Sequence, residues 1–379
     1  MKFIVAPNAF KGCLPATDVA VFIEKGIKKA FPLAGILKLP ISDGGDGLID
    51  ALASGLNGKI ILKTVCDPLG RKINAKYCYV EERKLAIIEM AHASGLALLH
   101  KNECNPLITN TIGTGELIID AIHNGAKKII LGIGGSATND CGAGVAYAFG
   151  WKFYDKNQKE ITPCGGELGC VTSIKAPSQF QSLPEIEVLC DVDNPLLGQD
   201  GASKVYAPQK GADENAVLQL EESIANFANV IEQDIGIDIR NIPGGGSAGG
   251  MGAGMLAFFN AKIKKGTEVV FDLLNVKEKI SGADLIITGE GRIDSQTVFG
   301  KAPAEIAKLA KKAKIPCIVL CGALGKNIDA LYDCGITSVF PICPGPVSLE
   351  DSMSNASEYI SNTAYRVVRL FVEGFIESV

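Results

Sequence analysis

The chain has 379 residues, 47% of them hydrophobic and 21% charged, so it is long enough to bury a sizeable core and to form two domains. The net charge is -5, and the 37 lysines and arginines are scattered, which excludes the basic footprint of a nucleic-acid-binding protein. No stretch has the length of a membrane span and the amino terminus does not have the pattern of a signal peptide, so we expect a cytoplasmic protein.

The twelve cysteines lie singly on apolar runs, without a CxxC pair, and the chain has only three histidines. This pattern is typical of free, buried thiols in a reducing compartment. We therefore expect neither disulfide bonds nor a structural zinc site.

Strand-like and helix-like segments alternate at both ends of the chain, which predicts βαβ units. The predicted strands are 3–6, 36–39, 284–287, 317–321 and 336–342. The predicted helices are 19–30, 303–312 and a last one that a capping-box-like sequence opens at 348–351. Residues 1–60 and 275–379 would then form one discontinuous domain with a parallel, flavodoxin-like or Rossmann-like sheet.

The middle of the chain has a different pattern, which predicts a second domain. Short β-branched runs at 59–65, 73–80 and 85–90 indicate a meander. A helix at 116–124, a strand at 128–133 and a helix start at 145–149 are expected next. Asp213 can cap a long helix with one apolar stripe, formed by Val217, Leu220, Ile224, Phe227 and Ile231. The predicted class is α/β with two domains, residues 61–274 forming an inserted mixed α/β domain and the active site lying in the cleft between them.

Polar residues are densest directly after the predicted strand 284–287, where Glu290, Arg292, Asp294 and Lys301 lie among three glycines. In open α/β sheets ligands bind at the carboxyl ends of the strands, and a helix that begins near Pro303 would direct its positive end to that crevice. A lysine beside a helix amino terminus is best explained by an anion between the two.

Two further polar loops follow the first two strands. Lys11 would offer a point charge to a phosphate at the end of the first strand. The loop 42–47 contains Asp43 and Asp46 among three glycines, and such carboxylates can hold Mg²⁺ through water or act as a base. A type I turn would explain this loop equally well.

Glycine loops recur in the predicted second domain. Gly132-x-Gly134-x-x-Ala137 satisfies a loose dinucleotide fingerprint, which leaves an NAD-dependent oxidoreductase as the alternative function. The polar run Ser136, Thr138, Asn139 and Asp140 suits phosphate oxygens and a cation better. Asp191, Asp193, Lys210 and the glycine-rich segment 243–250 add more polar loops, although turn chemistry and close packing also explain them. Neither a P-loop nor a kinase-type catalytic loop is present, yet the residue types are those that phosphoryl transfer needs.

Six segments resemble, in the same order, the signatures of the bacterial type I glycerate kinases. They are 6–14, 40–47, 132–144, 190–213, 244–252 and 288–303. The resemblance implies a flavodoxin-like domain with a restriction-enzyme-like second domain, and ATP-dependent phosphorylation of D-glycerate to 2-phosphoglycerate or 3-phosphoglycerate. The sequence departs from the usual signatures at several positions, where other residue types are common: Asn8, Ala9, Cys13, Asp46 and Cys141. Cys141 replaces a glycine, which is tolerable if that residue is helical.

This reading assigns a role to each candidate residue. We expect Arg292 to clamp the glycerate carboxylate, and Asp43 or Asp294 to be the base. The other residues are expected to contact ATP: Lys11, Gly134, Gly135, Ser136, Thr138, Asn139, Lys210, Gly245, Gly246 and Lys301. Asp191 or Asp193 would hold Mg²⁺ with Glu290. The expected partners are D-glycerate and ATP, without nucleic acid or membrane, and a homodimer is compatible with the sequence.

Overall fold

The computed structural model of the chain describes residues 1–178, 183–298 and 300–376. The chain forms two compact units. The first comprises Met1–Asp43, Asp50–Asn57 and Thr267–Val379, and the second comprises Gly44–Ile49 and Gly58–Gly266. Within the described ranges, none of the helices combines the length and the apolar character that a membrane crossing requires.

The described strands and helices are numbered in chain order. The strands are β1 Lys2–Val5, β2 Gly35–Lys38, β3 Lys59–Cys66, β4 Lys72–Val80, β5 Leu85–Glu89, β6 Lys128–Gly132, β7 Lys152–Tyr154, β8 Glu160–Ile161, β9 Ser173–Lys175, β10 Glu185–Leu189, β11 Lys262–Lys264, β12 Leu285–Ile293, β13 Cys317–Leu324 and β14 Ser338–Pro341. The helices are α1 Ala16–Ala30, α2 Leu48–Leu56, α3 Ala91–Ser94, α4 Ile112–His123, α5 Ala143–Ala148, α6 Ala202–Tyr206, α7 Glu214–Ile235, α8 Ser247–Phe259, α9 Gly266–Leu273, α10 Val276–Lys279, α11 Ala302–Lys312, α12 Asp329–Cys334, α13 Leu349–Ser354 and α14 Ala356–Ile376.

The first unit contains a parallel five-stranded sheet in the order β14-β13-β12-β1-β2. Its inner strand β1 is fully buried at Phe3, Ile4 and Val5, as expected for a parallel strand covered on both faces. Helices α1 and α14 pack closely against each other, since a side chain at Gly26 of α1 would collide with the backbone of Ser361 in α14. Their apolar faces and the strands form one core.

All five strands predicted for this sheet are confirmed, but the predicted end of β12 at Ile287 is wrong. The strand continues to Ile293 because its neighbour β13 pairs with it that far, through the register Arg292↔Ala323 and Ile293↔Leu324. Glu290 and Arg292 are therefore strand residues rather than loop residues. Their glycine neighbours suggested a turn, whereas the parallel partner supplies the hydrogen bonds of a strand.

The second unit is built on a mixed six-stranded sheet in the order β11-β10-β6-β5-β4-β3. The pairs β3–β4 and β4–β5 are antiparallel, which confirms the predicted meander, and the remaining pairs are parallel. A small antiparallel sheet has the order β8-β7-β9. The Asp213 side chain caps α7 by accepting a hydrogen bond of 2.8 Å from the Ala216 amide, as predicted. A parallel sheet and a second, mixed sheet confirm the α/β fold class.

Candidate functional site

In the first unit, polar residues meet at the carboxyl ends of β1 and β12. The sheet order changes direction here, because β1 pairs with β2 on one side and with β12 on the other. Ligands bind at such a switch point in open α/β sheets. Four residues that the sequence singled out, Lys11, Glu290, Arg292 and Lys301, line one cavity of ≈ 370 Å³. We call it the switch-point cavity.

Two glycines of β12 allow the strand to pass beneath the loop that follows β1. A Cβ atom at Gly291 would lie 3.3 Å from Phe10 Cα, and one at Gly289 would lie 3.4 Å from Cε1 of the Phe10 ring. The Asn8 amide also donates a hydrogen bond of 2.8 Å to the Gly289 carbonyl. The glycines of this segment therefore bring the β1 loop, with Lys11, against the end of β12.

Glu290 is the one buried charged residue that lines this cavity among the described residues. Its side chain is 7% exposed, and Oε1 lies 3.7 Å from Lys301 Nζ. Oε2 is buried and has no hydrogen-bond partner among residues 1–178, 183–298 and 300–376. Burial raises the pKa of Glu290 to about 7, an effect that Lys301 and Lys11 oppose and the nearby Asp43 carboxylate reinforces. A carboxylate oxygen without a donor is ready to accept a metal ion or a proton.

Arg292 is exposed and held by a neighbouring carboxylate. Its Nε donates a hydrogen bond of 2.9 Å to Asp294 Oδ2, and 70% of its side chain is accessible. The amide of Asp294 donates to Thr297 Oγ1, at 3.2 Å, which fixes the turn after β12. Asp294 thus orients the guanidinium, whose other nitrogens face the solvent and can reach a ligand.

Lys301 directly precedes α11 and has a half-exposed side chain. The sequence indicated an anion between this lysine and the helix amino terminus. In this structure the nearest anion to its ammonium group is the Glu290 carboxylate, at 3.7 Å. An ion pair of this length is weak, so either group can exchange its partner for a ligand.

In the second unit, the structure brings two of the predicted glycine loops into contact. A Cβ atom at Gly132 would lie 2.8 Å from the Gly44 carbonyl oxygen, and one at Gly134 would lie 3.2 Å from Gly45 Cα. The clustered glycines are therefore needed where one backbone crosses another. Gly134 and Gly135 are exposed at the end of β6.

A buried carboxylate that the sequence analysis missed anchors the first of these loops. Glu89, the last residue of β5, accepts hydrogen bonds from the amides of Gly47, at 3.3 Å, and Ile49, at 2.6 Å. Its side chain therefore fixes the backbone at the start of α2. The only sequence signal for this role was a carboxylate at the end of an otherwise apolar strand.

Lys210 lies inside the second unit, with 1% of its surface exposed. Its ammonium group donates hydrogen bonds to Ser136 Oγ, at 2.8 Å, and to the Thr138 carbonyl oxygen, at 2.6 Å. Burial lowers the pKa of Lys210 to about 7, and only Asp140 opposes this shift. The structure thus brings Lys210 together with the predicted phosphate loop, as a support beneath it.

The same loop contains both satisfied and unsatisfied polar atoms. Asp140 Oδ2 accepts hydrogen bonds from the Thr111 amide, the Thr111 hydroxyl and the Gly144 amide. Within the described part of the chain, Thr138 Oγ1 and Asn139 Oδ1 are buried without a hydrogen-bond partner. Cys141, which follows Asp140, has φ 51° and is not helical, so the condition under which a cysteine would be tolerable there is not met. This left-handed conformation explains why glycine is usual at that position.

The loose dinucleotide fingerprint at 132–137 lacks the structural context that it needs. Such a motif joins a strand to a helix through a tight turn, so that the pyrophosphate meets the helix amino terminus. Here β6 ends at Gly132, residues 133–142 form a loop, and α5 begins at Ala143 with six residues. This geometry gives no support to the oxidoreductase alternative.

The glycine-rich segment 243–250 packs against other parts of the second unit. The amide of Gly245 donates to the Ile242 carbonyl, at 2.8 Å, and that of Gly246 to the Asn194 carbonyl, at 3.0 Å. A side chain at Gly246 would collide with the Pro195 carbonyl. In this structure both amides serve close packing, and a phosphate contact by these two glycines stays a prediction. Regular α8 begins only after Gly250, because residues 248–250 have positive φ.

The three predicted metal ligands differ in their surroundings. Asp191 and Asp193 are exposed, and Asp191 Oδ1 accepts a hydrogen bond of 2.9 Å from the Gly266 amide. Both belong to the second unit, whereas the buried Glu290 belongs to the first. Among the described residues, no three histidine, cysteine, aspartate or glutamate side chains form a ready-made metal cluster.

Known proteins resemble this chain over almost its whole length. A model of the glycerate kinase family matches residues 3–372. The chain is 44% identical to a Bacillus subtilis glycerate kinase over 96% of both chains, and 40% identical to the Escherichia coli glycerate 2-kinase over 99% of both. A crystal structure of a candidate glycerate kinase 2 from Salmonella typhimurium superimposes with a TM-score of 0.88, at 41% identity and covering 99% of each chain.

Proposed function

Because the chain belongs to the glycerate kinase family and is an ATP-dependent kinase, we propose that it transfers the γ-phosphoryl group of ATP to a hydroxyl of D-glycerate. The observation that supports this proposal best is the buried Glu290 carboxylate among the cations of the switch-point cavity, with no hydrogen-bond partner for Oε2 among the described residues. Phosphoryl transfer asks mainly for positioning and charge neutralisation, and this cavity offers both. The six ordered sequence segments favour the bacterial type I group within the family.

Each charged candidate residue of the first unit receives a role in this proposal. Lys11 and Lys301 offset phosphate charge, and Arg292 holds the glycerate carboxylate through its planar guanidinium. Asp294 is the positioning residue for Arg292, since its Oδ2 already accepts the Arg292 Nε hydrogen bond. The role of base then falls to Asp43, whose carboxylate lies close enough to Glu290 to raise its pKa.

Glu290 fits the role of a Mg²⁺ ligand, because Oε2 is a buried carboxylate oxygen without a hydrogen-bond donor. A bound Mg²⁺ would supply charge neutralisation on the phosphate oxygens. The predicted participation of Asp191 or Asp193 stays a prediction. Excess EDTA should abolish turnover and added Mg²⁺ or Mn²⁺ should restore it; full activity in EDTA would remove the metal from the mechanism.

The loop of the second unit is proposed to bind phosphate. Gly134 and Gly135 are exposed, and the Ser136 hydroxyl is held by Lys210. Lys210 therefore positions Ser136 and does not itself contact the phosphate. This assignment differs from the direct role that the sequence suggested, since a lysine that is 1% exposed cannot reach a ligand in solution.

The proposed activity is tested by mixing the protein with ATP, Mg²⁺ and D-glycerate. We expect ADP in proportion to the glycerate added, and none with propionate, which has the carboxylate but neither hydroxyl. Phosphorus NMR of the product then distinguishes 2-phosphoglycerate from 3-phosphoglycerate. An ADP yield that does not depend on glycerate would refute the acceptor assignment.

A further inference from the structure

The switch-point cavity has both charged and apolar lining residues. The charged ones are Lys11, Glu290, Arg292 and Lys301. The apolar ones are residues that the sequence analysis did not single out: Phe10, Ala323, Ile342, Leu349, Met353 and Ala356. We call the part of the lining formed by Leu349 and Met353 the apolar end. Both residues belong to α13, and Leu349 is 77% exposed. A large apolar side chain that is open to solvent at the rim of a cavity is expected to contact a ligand.

Several contacts hold α13 in place as the wall of this cavity. The Cys13 thiol donates to the Met353 carbonyl oxygen at 3.4 Å, and the Cys343 thiol lies 3.1 Å from Ser352 Oγ. The Ser348 hydroxyl caps the helix by accepting from the Asp351 amide, at 3.0 Å. The apolar wall is therefore a built part of the site.

Glycerate cannot use the apolar end. Each of its three carbons carries oxygen, so its surface is almost entirely polar, and burying it against leucine and methionine would leave its hydroxyls without partners. The cavity, at ≈ 370 Å³, also lies within the range of about 300–1,000 Å³ that accommodates drug-sized ligands, which is more than a three-carbon acid needs. Of the two substrates, only ATP has a large apolar face, that of its purine.

We propose that the apolar end of the switch-point cavity is the nucleoside subsite for ATP. The purine lies against Leu349 and Met353 of α13, and the phosphates extend toward Lys11 and Lys301. The place agrees with the topology, because open sheets of this strand order bind mononucleotides at the switch point between the strands corresponding to β1 and β12. This inference rests on the proposed function only for the identity of the nucleotide.

The test compares two ligands that share phosphates but differ in the nucleoside. Calorimetry on the full-length protein measures the Kd of ADP and of inorganic tripolyphosphate, without glycerate and without turnover. In Leu349→Ala and Met353→Ala the Kd of ADP should rise about fivefold to tenfold. Each change removes roughly half of the apolar side-chain surface that would be buried against the purine. The Kd of tripolyphosphate should stay within about twofold, since it has no base to lose.

Leu370→Ala is the matched control. Leu370 is 72% exposed on α14, similar to Leu349, but it does not line the cavity. Both Kd values should be unchanged in this variant, and circular dichroism with thermal unfolding verifies that all three variants fold.

The inference is overturned if ADP binding is unchanged in both cavity variants, if tripolyphosphate weakens as much as ADP, or if only the glycerate KM rises. The last outcome would place the acceptor at the apolar end. Because calorimetry needs no turnover, the subsite can be supported even if glycerate is not the acceptor. If glycerate is phosphorylated but the Kd of ADP is unchanged in Leu349→Ala and Met353→Ala, the proposed function is supported and the nucleoside subsite is refuted.

Discussion

Asp140 in the second unit and Glu290 in the first are both buried carboxylates, and burial raises the pKa of each. Asp140 is surrounded by donors: two from Thr111 and the amides of Gly142 and Gly144. Glu290 Oε2 has none among the described residues. The first carboxylate is therefore part of the fold, whereas the proposed role of the second is to accept a ligand.

The lysines of the two units show the same contrast. Lys210 is buried and donates to Ser136 and Thr138, whereas Lys301 is half-exposed and, within the described part of the chain, has only a long ion pair with Glu290. The same residue type is thus an internal hydrogen-bond donor in one unit and a charge that lines a cavity in the other. The number of satisfied hydrogen bonds, rather than burial alone, distinguishes a structural group from a functional one.

Replacing Glu290 with Gln gives the largest expected effect. The change keeps the volume and removes the charge, so kcat should fall about a thousandfold, or ~4 kcal/mol in transition-state stabilisation. The unfolding free energy at pH 8 should not fall, because a buried charge without a donor is removed. Steady-state kinetics and thermal unfolding measure the two quantities.

Asp140→Asn is the matched comparison. It should lower the unfolding free energy by about 3 kcal/mol. The amide nitrogen of asparagine would face the donors whose hydrogen bonds the Asp140 carboxylate now accepts. If Glu290→Gln proved the less stable of the two, or kept its full activity, the distinction between the carboxylates would be wrong.

The pH dependence of stability should differ in sign between Glu290 and Lys210. The pKa of Glu290 is raised from 4.5 to about 7, so the folded state binds more protons between these values, and the unfolding free energy falls as pH rises through that window. The pKa of Lys210 is lowered from 10.5 to about 7, so the unfolded state binds more protons between about 7 and 10.5, and stability rises with pH there.

Lys210→Met isolates this second contribution. The variant leaves Ser136 Oγ and the Thr138 carbonyl without their shared donor, so it should lose about 2–3 kcal/mol of unfolding free energy at pH 8. It should also lose the rise in stability above pH 7. Urea unfolding at several pH values measures both, and an unchanged pH profile would mean that Lys210 is charged in the fold.

Arg292→Lys should lower kcat/KM about thirtyfold, or ~2 kcal/mol. Lysine keeps the charge but lacks the planar guanidinium that can donate two hydrogen bonds to one carboxylate. If Arg292 holds glycerate, the loss appears in the glycerate KM and the ATP KM is nearly constant. A loss in kcat alone would instead assign Arg292 to the transferring phosphoryl group. Unaltered kinetics would remove Arg292 from the site.

Cys317→Ala should have the smallest effect. Burial raises the pKa of this thiol to about 12, so it is not a nucleophile at neutral pH. We expect kcat/KM to stay within about twofold and the unfolding free energy to fall by about 1 kcal/mol from lost packing. A folded variant without activity would require a role for thiols in the reaction.

The sequence predicted the parts of the site that depend on chemistry near a strand end. Lys11, Glu290, Arg292 and Lys301 were all identified as candidates, and they line one cavity because parallel strands end at the same edge of a sheet. Phe10, Leu349 and Met353 were not identified as ligand contacts. An apolar residue on a short helix has the same local pattern whether it enters a core or lines a cavity.

The sequence by itself determined the secondary structure of the parallel sheet, the caps at Asp213 and Ser348, and the kinds of charge that the site contains, since periodicity and residue type are local properties. Only the tertiary structure decided that β12 continues to Ile293, that Lys210 is buried, and that α13 closes the cavity. Each of these depends on a partner distant in the chain, such as the Cys13–Met353 contact across 340 positions. Exposure and hydrogen-bond satisfaction are properties of such long-range contacts, so the sequence pattern around one residue does not fix them.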